Sequence, residues 1–144
     1  MAACERVLED KSTNGLSIIS IIEGLNFDVP PDVEIPREAA VPYAWQFVTL
    51  WQRQPEDEGR EFEQRVVFIA PDGVEVGGGL APPFTMSKSL HRTIGKHDLL
   101  PVGQSGEYLI RVQVREVGTE DWHEAGDYPL YITHSIDEAL NAIE

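Results

Sequence analysis

Apolar and polar residues alternate at period two along most of this chain, and turn residues break the alternation at short intervals. Residues 43–53 show the pattern over the greatest length. Tyr43, Trp45, Phe47, Thr49 and Trp51 share one parity, and Ala44, Gln46, Val48 and Leu50 share the other. Apolar residues on both parities predict a central strand covered on both faces for part of its length. The stretch after Ser105-Gly106 alternates most cleanly. There Tyr108, Ile110, Val112 and Val114 face one way, and Leu109, Arg111, Gln113 and Arg115 the other. One face is core and the other largely solvated.

Shorter runs fill the rest. Residues 3–8 and 16–22 read as strands joined through Asn14-Gly15, a pair that tolerates the positive φ of a tight hairpin. Residues 26–42 hold Pro30, Pro31, Pro36 and Pro42 and predict an irregular connection or an edge, because proline cannot donate to a ladder. Residues 55–59 form an acidic loop. A strand over 62–70 turns at Pro71-Asp72-Gly73 into 74–76. Gly77, Gly78 and Gly79, with Pro82 and Pro83 beyond, predict a flexible hairpin tip. Residues 84–98 are mostly extended, and 122–133 is a last strand region broken at Gly126 and Pro129.

The C-terminus differs. Ser135-Ile136-Asp137-Glu138 matches a capping box, and Ile136, Ala139, Leu140 and Ile143 fall at helical spacing. We expect an all-β, immunoglobulin-like antiparallel β-sandwich of about seven or eight strands over residues 1–134, with a short C-terminal helix over 135–144 packed on or beside it. The Gly106-Glu107-Tyr108 step resembles the entry to a late strand of immunoglobulin-like domains, where a tyrosine bonds back to the corner.

Composition narrows the function classes. The 144 residues carry 11 Lys and Arg against 25 Asp and Glu, a formal charge of −14. That balance opposes binding to nucleic-acid phosphates and to anionic lipid, both of which draw on Lys and Arg. Cys4 is the lone cysteine, so a disulfide framework is excluded. No signal-peptide pattern opens the chain, and no apolar run approaches the roughly 20 residues of a membrane span. A cytoplasmic location is the expectation.

Several blocks together resemble a known family. They are Cys4-Glu5-Arg6-Val7, Asn14-Gly15-Leu16-Ser17-Ile18-Ile19, Ile22-Glu23-Gly24, Ala70-Pro71-Asp72-Gly73, Gly106-Glu107-Tyr108 and Tyr128-Pro129-Leu130. Their order resembles that of an uncharacterised family of short bacterial β-sandwich proteins, a domain of unknown function. The resemblance spans residues 3–133 and implies a single sandwich domain. It implies no activity and no site.

Candidate chemistry is sparse. His91, His97, His123 and His134 show no metal-ligand spacing. On one extended strand His91 and His97 would face the same way about 20 Å apart, too far to share an ion. Two acidic clusters, around Glu56 to Glu63 and around Glu116 to Asp127, lack the alternating Asp or Asn and the turn glycine of calcium loops. They read as solvated charge. No serine lies in a nucleophile elbow, and Gly77-Gly78-Gly79 lacks the Lys-Ser or Lys-Thr of a phosphate loop. No catalytic residue, metal ligand or cofactor is assigned, and we do not expect an enzyme.

Two features remain. Lys88, His91, Arg92, Lys96 and His97 form the one basic stretch, with no acid from Phe84 to His97. It suits an acidic protein partner or the acidic face of a second copy. Trp45 and Trp51 lie six residues apart on one strand face, with Tyr43 and Phe47. That row is core by default, and if exposed it would serve a partner or stack a sugar. The expectation is a non-enzymatic protein-interaction module that binds a protein partner or a further copy of itself, with Lys88, His91, Arg92, Lys96, Trp45 and Trp51 as candidate binding residues. A small-ligand or carbohydrate-binding sandwich is the alternative.

Overall fold

The computed structural model describes residues 1–136. Ten strands follow one another: β1 (Ala2–Asp10), β2 (Gly15–Ile21), β3 (Gly24–Val29), β4 (Ala40–Gln52), β5 (Glu61–Ile69), β6 (Glu75–Leu80), β7 (Phe84–Thr85), β8 (Leu90–Pro101), β9 (Gly106–Glu116) and β10 (His123–Ile136). A single 3₁₀ turn, Pro55–Asp57, interrupts them. The strands form two sheets in a sandwich-like arrangement. One sheet runs β2-β1-β4-β8 and the other β3-β10-β9-β5-β6, with the two-residue β7 pairing β5. All pairings are antiparallel except β3 with β10.

The core comes from the parities read in the sequence. Trp45 and Phe47 of β4 meet Val66 and Phe68 of β5, Tyr108, Ile110 and Val112 of β9, and Leu130 and Ile132 of β10. Each large side chain fully buried this way is worth about 1.5–3 kcal/mol against exposure. Two polar residues, Thr49 and Gln64, are buried with them at 3% exposed. The Gln64 side-chain oxygen accepts from Thr49 Oγ1 and from Trp51 Nε1, both at 2.8 Å, so its burial is compensated.

The first hairpin forms as expected. Asn14 takes a φ of 57° at the turn, and the Asp10 carboxylate accepts from the Ser12 amide at 2.9 Å. Pairing of β1 with β4 stops at Cys4, while pairing with β2 continues to Asp10. Beyond Cys4 side chains hold the hairpin instead. Val7 N donates to Gln46 Oε1 at 2.6 Å, and Arg92 donates to Asn14 O at 3.2 Å and Asn14 Oδ1 at 2.8 Å.

The structure departs from the sequence expectations in strand number, ten among the described residues against about seven or eight, and in three local places. Residues 24–29, partly inside the stretch expected to be irregular, form the parallel edge strand β3, which ends just before Pro30. The glycine run is no hairpin tip. Gly77, Gly78 and Gly79 lie within β6, opposite Phe68, Val67 and Val66. A Cβ on Gly78 would run into the Val66 carbonyl oxygen, so this close approach requires glycine. Finally, Ser135 does not cap a helix. β10 continues through Ile136, Ser135 and Ile136 pair with Asp28 and Val29 of β3, and Ser135 Oγ donates to Asn26 Oδ1 at 2.8 Å. Ladder and side-chain bonds to a neighbouring strand override the local capping signal. The remainder of the expected helix lies outside the described residues.

Candidate functional site

β8 is an edge strand. It pairs with β4 from Leu90 to Pro101, and its other side has no strand beside it among the described residues. The register sorts its side chains. His91, Thr93, Gly95 and His97 lie opposite Trp51, Thr49, Phe47 and Trp45, so they share the inner face. Leu90, Arg92, Ile94 and Lys96 share the outer face. Basic and histidine positions, adjacent in sequence, therefore point to opposite sides of the sheet.

The two histidines of β8 are packed on aromatic rings. The His97 imidazole stacks on Trp45 at a centroid distance of 4.4 Å and an interplanar angle of 18°. His91 stacks on Phe84 at 4.4 Å and 6°. Burial pushes both imidazoles below their ordinary pKa, and Asp98 partly opposes the shift at His97. Both are therefore neutral near pH 7. They share a face, as the parity predicted, but rest on different rings. Among the described residues no three His, Cys, Asp or Glu side chains gather as a metal site would require.

The cations of the stretch divide in two. Arg92 is engaged with the first hairpin, at 3.4 Å from Glu9 and through its bonds to Asn14. Lys88, in the bend before β8, and Lys96, within it, are exposed and have no carboxylate within ion-pair distance among the described residues. Two cavities flank His97 where β8 faces β6. One, about 370 Å³, is lined by Glu38, Phe68, Gly77, Gly78, Lys96 and His97, among others. The other, about 280 Å³, is lined by Phe47, Gly79, Ile94, Gly95, Lys96 and His97, among others. Gly95 leaves space beside the imidazole, since a Cβ there would sit 3.3 Å from His97 Nε2.

The aromatic row is core. Trp45 is 2% exposed, and its indole donates to the Leu99 carbonyl at 3.0 Å. Trp51 is half-buried, bonded to Gln64 and stacked on Phe84 at 6.2 Å. Neither indole belongs to an open stacking platform. Cys4 is buried, and burial raises its thiol pKa.

One cluster escaped the sequence reading. On the outer face of β5 and β9, the guanidiniums of Arg65 and Arg115 lie 4.5 Å and 4.2 Å from the ring of Trp122. Arg115 is paired with Glu63 at 2.6 Å, and Arg65 bonds to the Gln113 amide oxygen at 2.6 Å. The Arg111, Gln113, Arg115 parity places half of this cluster. Arg65 and Trp122 join it only through strand register and the turn before β10.

No family model matches the chain, and no curated protein matches it. The resemblance to an uncharacterised bacterial family therefore has no matching model behind it. Among solved structures, the CooA pilin subunit from enterotoxigenic Escherichia coli aligns over 95% of this chain and 99% of its own, at 10% identity and a TM-score of 0.28. A score that low does not mark a shared fold. Among the described residues no helix is long and apolar enough to cross a membrane.

Proposed function

We propose that this chain is a non-enzymatic protein-interaction module that works through the β8 side of its sandwich. The observation that carries the reading is the state of that side. A 12-residue edge strand presents, among the described residues, unpaired backbone, two lysines without an ion-pair partner and a pair of adjoining cavities. Long open edges are templates for another chain. The only thiol is buried with a raised pKa, which argues against nucleophilic chemistry at Cys4. A cytoplasmic setting fits the reading.

An immunoglobulin-like affiliation belongs to the same proposal. Tyr108 is fully buried, and its hydroxyl accepts a hydrogen bond from Gln104 N at 3.0 Å, four residues upstream. That is the arrangement of a tyrosine corner. The neighbours β4-β8 and β10-β9-β5-β6 correspond to the B-E and G-F-C-C′ pairings of a variable-type sandwich. A small-ligand site is the second reading, and the 370 Å³ cavity beside His97 favours it over a sugar platform.

Capture from host lysate tests the function when wild type is run beside Lys88→Glu/Lys96→Glu. The proposal expects a stoichiometric partner, or a mass above 16.1 kDa by light scattering, that the double variant loses. A monomer that captures nothing overturns it.

A further inference from the structure

We infer that β8 takes up an extended acidic segment of a partner protein as an added strand, with alternate side chains of that segment entering the two cavities beside His97. This rests on the interaction reading above and names the partner's chemistry.

The edge is unusually available. β8 spans 12 residues, against 7, 6 and 6 for the other edge strands β2, β3 and β6. Its ladder with β4 is continuous apart from one irregularity near Trp45, so the free side presents a regular row of donors and acceptors. Native edges this long are usually blunted by charge, proline or a covering element. Here the protection is charge, two cations, Arg92 and Lys96, with one acid, Asp98, and Pro101 at the strand's end. Arg92 and Lys96 stand four residues apart on the outer face, and Lys88 precedes the strand.

That charge selects the occupant. A second copy pairing β8 antiparallel to itself about Ile94 would set Arg92 of each copy against Lys96 of the other, and like charges directly opposite are destabilising. Carboxylates at the same spacing meet opposite charge instead.

The inner face sets the rest of the pattern. Gly95 projects no side chain, and His97 lies flat on Trp45, so the edge facing β6 is hollow. Cavities of about 370 and 280 Å³ remain there. They are roomy enough for apolar side chains of an added strand, which alternate with the acidic ones. The preferred segment is therefore apolar on every second residue, with acids four apart on the other parity.

The palindromic peptide Val-Glu-Val-Thr-Val-Glu-Val meets this pattern in either direction, and Val-Lys-Val-Thr-Val-Lys-Val is its control. Each is titrated into the full chain, with amide hydrogen exchange read along the backbone. The inference expects the acidic peptide to bind more tightly and to slow exchange at alternate amides of residues 90–101. Lys96→Glu should weaken the acidic peptide about fivefold, the scale of one exposed ion pair, and favour the lysine peptide. Equal binding of the two peptides, binding of neither, or protection confined to β3 or β6 overturns it. A lysate partner that binds wild type without protecting β8 would overturn strand addition alone and leave the interaction reading standing.

Discussion

The imidazole of His97 lies flat on the indole of Trp45, 4.4 Å away, and the indole nitrogen is tied to the Leu99 carbonyl on the same strand as the histidine. This pair closes the inner face of β4 and β8 at the point where the cavities open. The stack is thus both the end of the core and the wall of the proposed site. Burial lowers the His97 pKa, with Asp98 opposing, so the folded state disfavours the imidazolium. As pH falls through about 6.5, the unfolded chain takes up this proton before the folded one does. Stability due to His97 is therefore full above that pH and is lost below it. The variant His97→Phe should flatten the difference between urea midpoints at pH 7.5 and 5.5. An unchanged difference would contradict it. His91 has the same direction of shift and supplies the residual slope.

Thr93 Oγ1 is buried without a hydrogen-bond partner among the described residues, opposite Thr49. An unpaired buried hydroxyl costs free energy, so Thr93→Val should leave stability unchanged or raise it by about 1 kcal/mol. Thr49→Val removes the bond to Gln64 and should cost about 1 kcal/mol. Chemical denaturation of the two variants compares them directly, and the same sign for both would contradict the assignment.

Two glycines of β6 should behave oppositely. Alanine at Gly78 meets the Val66 carbonyl oxygen, a backbone atom that cannot swing away. We expect Gly78→Ala to cost about 1–3 kcal/mol, the range of overpacking. Alanine at Gly79 finds its nearest atom, on His97, at 3.9 Å and should be nearly neutral. Thermal melts of both variants check the contrast.

Tyr108→Phe removes the hydroxyl that accepts from Gln104 N and should cost about 1 kcal/mol. Trp45→Ala should cost about 3–5 kcal/mol, as expected for a large buried aromatic. A mild effect at Trp45 would show that its ring is not the centre of the core.

Much of this fold was legible in the residues. The parity of Tyr108, Ile110, Val112 and Val114 placed β9 with its buried side correctly assigned, and Asn14-Gly15 placed the first turn. Local signals failed where long-range pairing decides. Ser135 reads as a cap in isolation, yet β3, more than 100 residues away, supplies it with Asn26. The glycine run reads as a turn, yet β5 draws it into a ladder because only glycine fits against Val66. The basic stretch was visible as composition. Period-two spacing sets its histidines on the face opposite Arg92 and Lys96, but which of the two faces is the inner one follows only from pairing with β4. The Arg65–Trp122–Arg115 cluster joins three segments and carried no contiguous signal.

The interaction account is tested most directly by amide hydrogen exchange on the chain with and without the partner recovered from lysate. The account predicts slowed exchange across residues 90–101, strongest around Lys96, and loss of that protection in Lys88→Glu/Lys96→Glu. A bound partner that leaves β8 exchange unchanged and protects the Arg65–Trp122–Arg115 face instead would contradict it.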